Sequence, residues 1–360
     1  MNQTGSDPIR IGIVGCGFWA NYQLAGWQEL PGVEVVAVCD SDRQKARAMA
    51  EQFGIARVYT DAEALLATET LDVVDVITPP ATHAELVRLA VNRRVPVITQ
   101  KPMATDLPTS EGIVNQCREA GVPLFVHENF RWQTSIRALR QILDSGEIGK
   151  PFKATISFCT GFPVFANQPL LASLDQLIIS DLGSHLYDVC RFLFGEPTLL
   201  FCRMTRVNPR IRGEDVANTL IETATGVHCY VEMSFASVLE SDAFPQTLVT
   251  VEAGAGSVEL RKDFELRITT RSGLTRSTET RVEYARPPLY PWAHPDYAVV
   301  HASIVDCNRN LIGALRPDYP TSNAAGRTGT AETTGEDNLR TVRMVQAAYE
   351  SAATGRAIRL

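Results

Sequence analysis

Asp181 and His185 lie four positions apart in a stretch with an apolar stripe. Leu177, Ile178, Leu182, Leu186, Val189, Phe192 and Leu193 form that stripe, which stops at Gly195. On a helix this spacing puts a carboxylate and an imidazole on one face. A carboxylate beside an imidazole orients its tautomer and supports its basicity, which suits the pair to general-base work. The plainer alternative is a solvated helix face. A third charged group weighs against that alternative: Lys101 ends the apolar run of Ile98 and Thr99 and is followed by Pro102. A cation at such a strand end can hydrogen-bond a reacting hydroxyl and stabilise alkoxide character as hydride leaves. Its alternative is a solubilising charge.

Hydride needs an acceptor, and the start of the chain offers a place for one. Ile11-Gly12-Ile13-Val14 runs into Gly15-Cys16-Gly17-Phe18-Trp19-Ala20, a G-x-G-x-x-A turn between a strand and a helix. Gly15 permits the tight turn, Gly17 lets a dinucleotide pyrophosphate approach the backbone, and Ala20 allows close helix–strand packing. A glycine turn that binds nothing is the alternative. Asp40 closes the second apolar run, where a carboxylate accepts bonds from ribose hydroxyls and repels a 2′-phosphate, favouring NAD over NADP. It could instead cap a helix starting near Arg43, and Arg43 itself could reach a 2′-phosphate.

These groups need a scaffold that brings strand ends together. Apolar runs at 9–14, 33–39, 73–78, 95–99 and 123–126 alternate with helix-period stretches at 19–30, 43–53, 61–68, 83–93 and 110–120. Val58-Tyr59 is a short additional strand candidate. The alternation implies βαβ units and a parallel sheet buried on both faces, with ligands at the carboxyl ends of its strands. Asp61 (with Thr60) and Thr82 are candidate N-caps. Thr78-Pro79-Pro80 forms a rigid loop along the cofactor, and His83 is a helix-start residue in reach of it.

After residue 126 the pattern changes. His127-Glu128-Asn129-Phe130-Arg131-Trp132-Gln133 is a polar, aromatic crossover into a second domain. Asn129 is placed to approach the nicotinamide. Arg131 and Trp132 line a polyol pocket or simply pack the domain junction. Runs at 198–207, 216–223, 227–235, 248–251, 257–260 and 264–270 alternate as antiparallel strands of a large open sheet. The loop 161–169, with Phe162, is a candidate substrate wall, and 287–297 a second wall or an intersubunit arm. Residues 318–333 read as a surface loop, and Thr333-Thr334-Gly335-Glu336 offers a capping box. The fold class is therefore α/β: a parallel-sheet nucleotide domain over 1–126, then an α+β domain over 127–360 for substrate and oligomerisation.

Composition excludes several classes. The 360 residues are 45% hydrophobic and 21% charged, with 34 basic and 41 acidic side chains, a net charge of −7. That is globular usage, and the acidic balance without basic runs argues against nucleic acid as a partner. No run of 18 apolar residues suggests a membrane span. The polar first eight residues lack a secretory pattern, so a cytoplasmic location is expected. The eight cysteines include no C-x-x-C pair and read as buried free thiols rather than metal ligands.

Taken jointly, the Rossmann turn, the T-P-x-x-x-H loop, Gln100-Lys101-Pro102 and Ser180-Asp181-Leu182-Gly183-Ser184-His185-Leu186-Tyr187-Asp188 resemble the glucose–fructose oxidoreductase/inositol dehydrogenase (Gfo/Idh/MocA) family. The usual family motif is E-K-P, and this chain carries glutamine at its first position, so the resemblance makes Gln100 a changed cofactor contact, on the nicotinamide side or one residue removed from it, and leaves Lys101 in place. The resemblance implies an NAD-dependent dehydrogenase of a sugar or polyol hydroxyl, with His185 as base, Asp181 as substrate-orienting or His-tuning carboxylate, and Lys101 as electrostatic partner. The proton acceptor stays open between Lys101 and His185. Family members bury such a sheet face in dimers or tetramers, implying a homo-oligomer. The motifs look like the aldose-oxidising branch, acting at the anomeric hydroxyl. The alternatives are an inositol or polyol dehydrogenase acting on a secondary alcohol, and a non-catalytic NAD-sensing regulator.

Overall fold

The computed structural model describes residues 7–272, 277–319 and 329–360. The polar start and most of the surface loop expected over 318–333 therefore lie outside the described residues. The chain divides into two compact units, Met1–Asn129 with Leu289–Arg340, and Phe130–Pro288 with Thr341–Leu360. Among the described residues no helix is long and apolar enough to cross a membrane.

The first unit is built from β1 (Ile9–Val14), α1 (Phe18–Gln28), β2 (Val33–Cys39), α2 (Arg43–Phe53), β3 (Arg57–Tyr59), α3 (Ala62–Thr68), β4 (Val73–Val76), α4 (His83–Asn92), β5 (Val97–Gln100), α5 (Leu107–Ala120) and β6 (Leu124–His127). Its six strands are parallel in the order β3-β2-β1-β4-β5-β6. β-branched runs buried on both faces leave no polar alternation, as a covered parallel sheet requires. The order reverses between β1 and β4, which opens a crevice at their carboxyl ends. Asp61 caps α3, accepting the amides of Glu63 and Ala64. Thr82 does not cap α4: its hydroxyl lies 2.7 Å from that of Thr78 and 2.8 Å from the Pro79 carbonyl.

The second unit holds α6 (Thr134–Ser145), β7 (Pro151–Cys159), α7 (Val164–Asn167), α8 (Ser184–Phe194), β8 (Pro197–Thr205), β9 (Val216–Thr223), β10 (His228–Ser234), β11 (Leu248–Ala253), β12 (Gly256–Arg261), β13 (Glu265–Ser272) and β14 (Ser277–Tyr284). With β15 (Ile358–Arg359) these form a nine-stranded sheet, β14-β13-β12-β11-β7-β10-β9-β8-β15, among the described residues. It is antiparallel except where β7 and β10 run parallel. One face is core: Cys202, Val231, Ile156, Val249, Leu260 and Leu266 are all buried. α8 and α6 pack on this sheet.

The long helix α9 (Ala298–Leu315) belongs to the first unit, although a linear division at residue 126 leaves it in the C-terminal half. Fourteen of its eighteen residues are buried, so it carries no polar stripe for periodicity to detect. It packs closely on α1, where a Cβ at Gly26 would come within 2.5 Å of Ile304. The last helix, α10 (Gly335–Thr354), is capped by Thr334, whose hydroxyl accepts the Asp337 amide at 3.1 Å.

Candidate functional site

The first unit gathers its candidates at the carboxyl edge of the parallel sheet. Gly15 has φ +104°, and a Cβ there would meet the Ile77 carbonyl group at 2.7 Å. The turn thus backs directly onto the end of β4, a conformation and an approach that glycine alone tolerates. Nothing lies within 4 Å of a Cβ built on Gly17, which is exposed, and α1 has no side-chain cap. Open space over uncapped helix amides suits a pyrophosphate. Phe18, Trp19 and Tyr22 form an aromatic cluster on the first turns of α1.

Asp40 faces this turn. Its Oδ2 accepts the Cys16 amide at 2.8 Å and its Oδ1 the Asp42 amide at 2.9 Å. The α2 cap is Asp42 instead, which accepts the amides of Gln44 and Lys45, and Arg43 is exposed beside it. Asp40 therefore ties the end of β2 to the glycine turn, and its remaining lone pairs are what a ribose would use.

At the end of β5, Gln100 is buried and its amide nitrogen has no hydrogen-bond partner. Lys101 follows it, half-buried, with a cis bond to Pro102. His83 is fully buried, with Nδ1 3.0 Å from the Met103 carbonyl and Nε2 2.8 Å from the Thr78 carbonyl. Both ring nitrogens are thus engaged, and no face is left for a cofactor. The residue staples the Thr78-Pro79 loop to the loop that carries Lys101. Burial lowers its pKa below the usual histidine range, and the carbonyl bonds offset this only partly. Asn129 is likewise buried, and its amide nitrogen donates to Ser303 of α9 at 2.7 Å. It serves as an internal tie rather than an open nicotinamide contact.

The second unit holds the Asp/His motif. A π-helical turn over Ile179–Gly183 leads into α8, so Asp181 sits in the wide turn and His185 in the first turn of the regular helix. π-turns recur at functional sites because they redirect side chains. Asp181 is half-buried, while His185 is buried and stacks flat on Phe130, with ring centroids 3.9 Å apart and planes within 7°. Arg131 is buried too. Its guanidinium pairs in bidentate fashion with Asp188, at 2.7 and 2.5 Å, and Arg191 lies 3.6 Å from the same carboxylate. Trp132 is fully buried beneath the Arg137 guanidinium at 4.3 Å. Of the two readings open for Arg131 and Trp132, the structure supports packing. Phe162 stacks on Phe244 at 4.0 Å, and its loop is held by Asp242, which accepts the Thr160 hydroxyl and the Gly161 amide. Phe244 meets Phe158, and Phe158 meets Phe130, so a series of ring contacts runs from this loop to the ring stacked on His185.

Asp188 was legible as the last residue of the D-x-G-x-H-x-x-D pattern. Phe130, by contrast, carried no local signal, because ring stacking between a crossover turn and a helix is a tertiary event.

Comparison with known proteins agrees with both halves. The family model GFO_IDH_MocA, described as an oxidoreductase family with an NAD-binding Rossmann fold, matches residues 9–128, and the GFO/IDH/MocA C-terminal domain matches 136–257. The chain belongs to the Gfo/Idh/MocA family. It is an NAD-binding oxidoreductase, and the open cradle at Gly17 and the unpartnered Gln100 amide fit that cofactor. Two family members are named D-apiose dehydrogenase. That of Paraburkholderia graminis is 42% identical, covering 97% of this chain and 88% of its own. That of Rhizobium rhizogenes is 39% identical, covering 99% and 98%. A crystal structure of an oxidoreductase from Agrobacterium radiobacter, in complex with NAD+, L-tartaric acid and magnesium, superposes with a TM-score of 0.90 at 38% identity, covering 98% of each chain.

Proposed function

We propose that the protein is an NAD-dependent sugar dehydrogenase that oxidises the anomeric hydroxyl of an aldose such as D-apiose to the lactone. The observation that carries the reading is the identity of 42% and 39%, over nearly the whole chain, to two enzymes named D-apiose dehydrogenase. The motif residues support it, since Lys101, Asp181 and His185 are all present.

Bound NAD would supply the hydride acceptor. Gly15, Gly17, Phe18 and Trp19 would line its pyrophosphate, Asp40 would meet the ribose, and Gln100 would offer its amide nitrogen to the nicotinamide side. Thr78 and Pro79 would border the cofactor. Lys101 donates a hydrogen bond to the reacting oxygen and stabilises its negative charge. An imidazole nitrogen of His185 takes the hydroxyl proton, and Asp181 orients the substrate. Phe130 covers one face of the imidazole.

A homodimer or homotetramer through the outer face of the nine-stranded sheet completes the reading. That face carries the cross-strand row Phe201, Leu220, Tyr230, Thr155 and Thr250, with Tyr230 exposed. A reducing compartment, the cytoplasm, suits eight free cysteines.

The test is a panel of aldoses and inositols, D-apiose included, offered to purified protein with NAD while the absorbance of reduced cofactor is followed. Turnover of D-apiose with lactone as product supports the reading. Turnover of inositols alone, or of no sugar, overturns it.

A further inference from the structure

The helix that carries Asp181 and His185 has no cap of its own. The first four N–H groups of a helix lack intrahelical partners, and a buried start must find them elsewhere. Here all four come from two distant residues. The amides of Leu177 and Ile179 donate to Glu214 Oε1 at 3.1 and 3.2 Å, and that of Ile178 to the Glu214 carbonyl at 3.2 Å. The Ser180 amide donates to Tyr349 Oη at 3.1 Å, and that hydroxyl in turn donates to Glu214 Oε1 at 2.7 Å. The next amide, of Asp181, is the first to bond within the helix, to the Leu177 carbonyl at 2.8 Å.

The clamp is itself rigid. A Cβ at Gly213 would meet the Leu174 carbonyl oxygen at 2.8 Å and Leu177 Cβ at 2.9 Å, so the loop approaches the helix start as closely as glycine permits. Asp215 fixes the other side of the loop by accepting the amides of Val207 and Asn208. Glu214 and Tyr349 are both buried. Burial and the adjacent Glu214 carboxylate push the Tyr349 phenol up, which keeps it a donor.

We infer that Glu214 and Tyr349 are positioning residues for the reaction: by holding the four amides at 177–180 they keep the π-turn over 179–183 and so the placement of Asp181 relative to His185. A π-turn is rare next to the competing α-helix and persists only where its surroundings hold it. Relaxation to regular helix would turn Asp181 about the axis by a fraction of a turn, while His185, held by Phe130, stays in place. The inference rests on the proposed catalytic role of Asp181 and His185.

The test compares Glu214→Ala, Glu214→Gln, Tyr349→Phe and His185→Ala in the full chain, with NAD and D-apiose. Misplacing a catalytic group by about 1 Å costs up to roughly 100-fold, so Glu214→Ala is expected to lower kcat about 10–100-fold. NAD affinity should stay at the wild-type value. Glu214→Gln retains the acceptor oxygen and should recover most of kcat; Tyr349→Phe, which removes one hydroxyl, should fall between. A purely structural clamp would lower melting temperature in all three while kcat per folded molecule stayed at wild type, and that result overturns the inference. Should Glu214→Ala fail to fold, Tyr349→Phe alone decides on the same readout. Loss of activity in His185→Ala with full kcat in the clamp variants overturns the inference alone. Full kcat in His185→Ala overturns the catalytic reading and the inference with it.

Discussion

Phe130 lies flat on the imidazole of His185, with centroids 3.9 Å apart and 7° between the planes. The ring sits in a turn anchored by the neighbouring Arg131–Asp188 ion pair, so the motif's last aspartate reaches its histidine through two intermediaries. A stacked aromatic pair is worth about 0.5–1.5 kcal/mol beyond its buried area. Phe130→Leu should therefore lower kcat by roughly 2–10-fold at unchanged NAD affinity. Phe130→Tyr keeps the stack and should restore kcat. Equal kcat in the leucine variant and wild type would show that the stack does not position the imidazole.

Lys101→Met and His185→Ala should each lower kcat by roughly 10²–10⁴-fold, the usual contribution of a positioned acid, base or charge. NAD titration should show nearly unchanged affinity in both. Unchanged turnover in both variants would remove them from the chemistry.

Asp40 is tied to two backbone amides, and in the proposed role its carboxylate would oppose a 2′-phosphate. Asp40→Ala should weaken NAD binding by roughly 10–100-fold, as expected for lost charge-assisted bonds of about 1.5–3 kcal/mol. It should also shift the ratio of kcat/KM for NAD over NADP towards NADP. A ratio that does not move would falsify the ribose role.

Asp75 gives a prediction in pH. It is fully buried in β4, and its Oδ2 accepts bonds from Gln23 and Trp27 at 2.9 Å each. Burial pushes its carboxyl up to about 6, with those two bonds pulling the other way. The folded state therefore holds the proton more tightly than the unfolded chain, where the carboxyl titrates near the ordinary aspartate value of 3.8. Stability from this group is greatest below about pH 4 and falls as pH rises through about 6, with a slope of at most about 1.4 kcal/mol per unit. Asp75→Asn should flatten that dependence between pH 4 and 6 in denaturant titrations. A wild-type slope in the variant would show that another group is responsible.

How much of this could be read from the chain depends on whether the signal is local. β1, β2, α2 and β9 coincide with the apolar runs and periodic stretch that announce them, because each buries a face whose period is written in neighbouring residues. The G-x-G-x-x-A turn and the D-x-G-x-H pattern are equally local, since a tight turn or a helix face needs residues at fixed short spacing. α9 escaped because burial all round removes its period.

What each polar side chain touches was decided in three dimensions. His83 looked like a cofactor contact and became a staple between two strand-end loops, because the backbone carbonyls that claim its nitrogens come from Thr78 and Met103, on either side of α4 and β5. Arg131, open from sequence to a polyol pocket or to packing, is bound to Asp188, 57 residues away. Glu214 and Tyr349, 135 residues apart, showed no motif at all. A chain can encode its own turns and faces in adjacent residues. A buried donor takes whichever acceptor folding delivers to it, and only the tertiary structure names that partner.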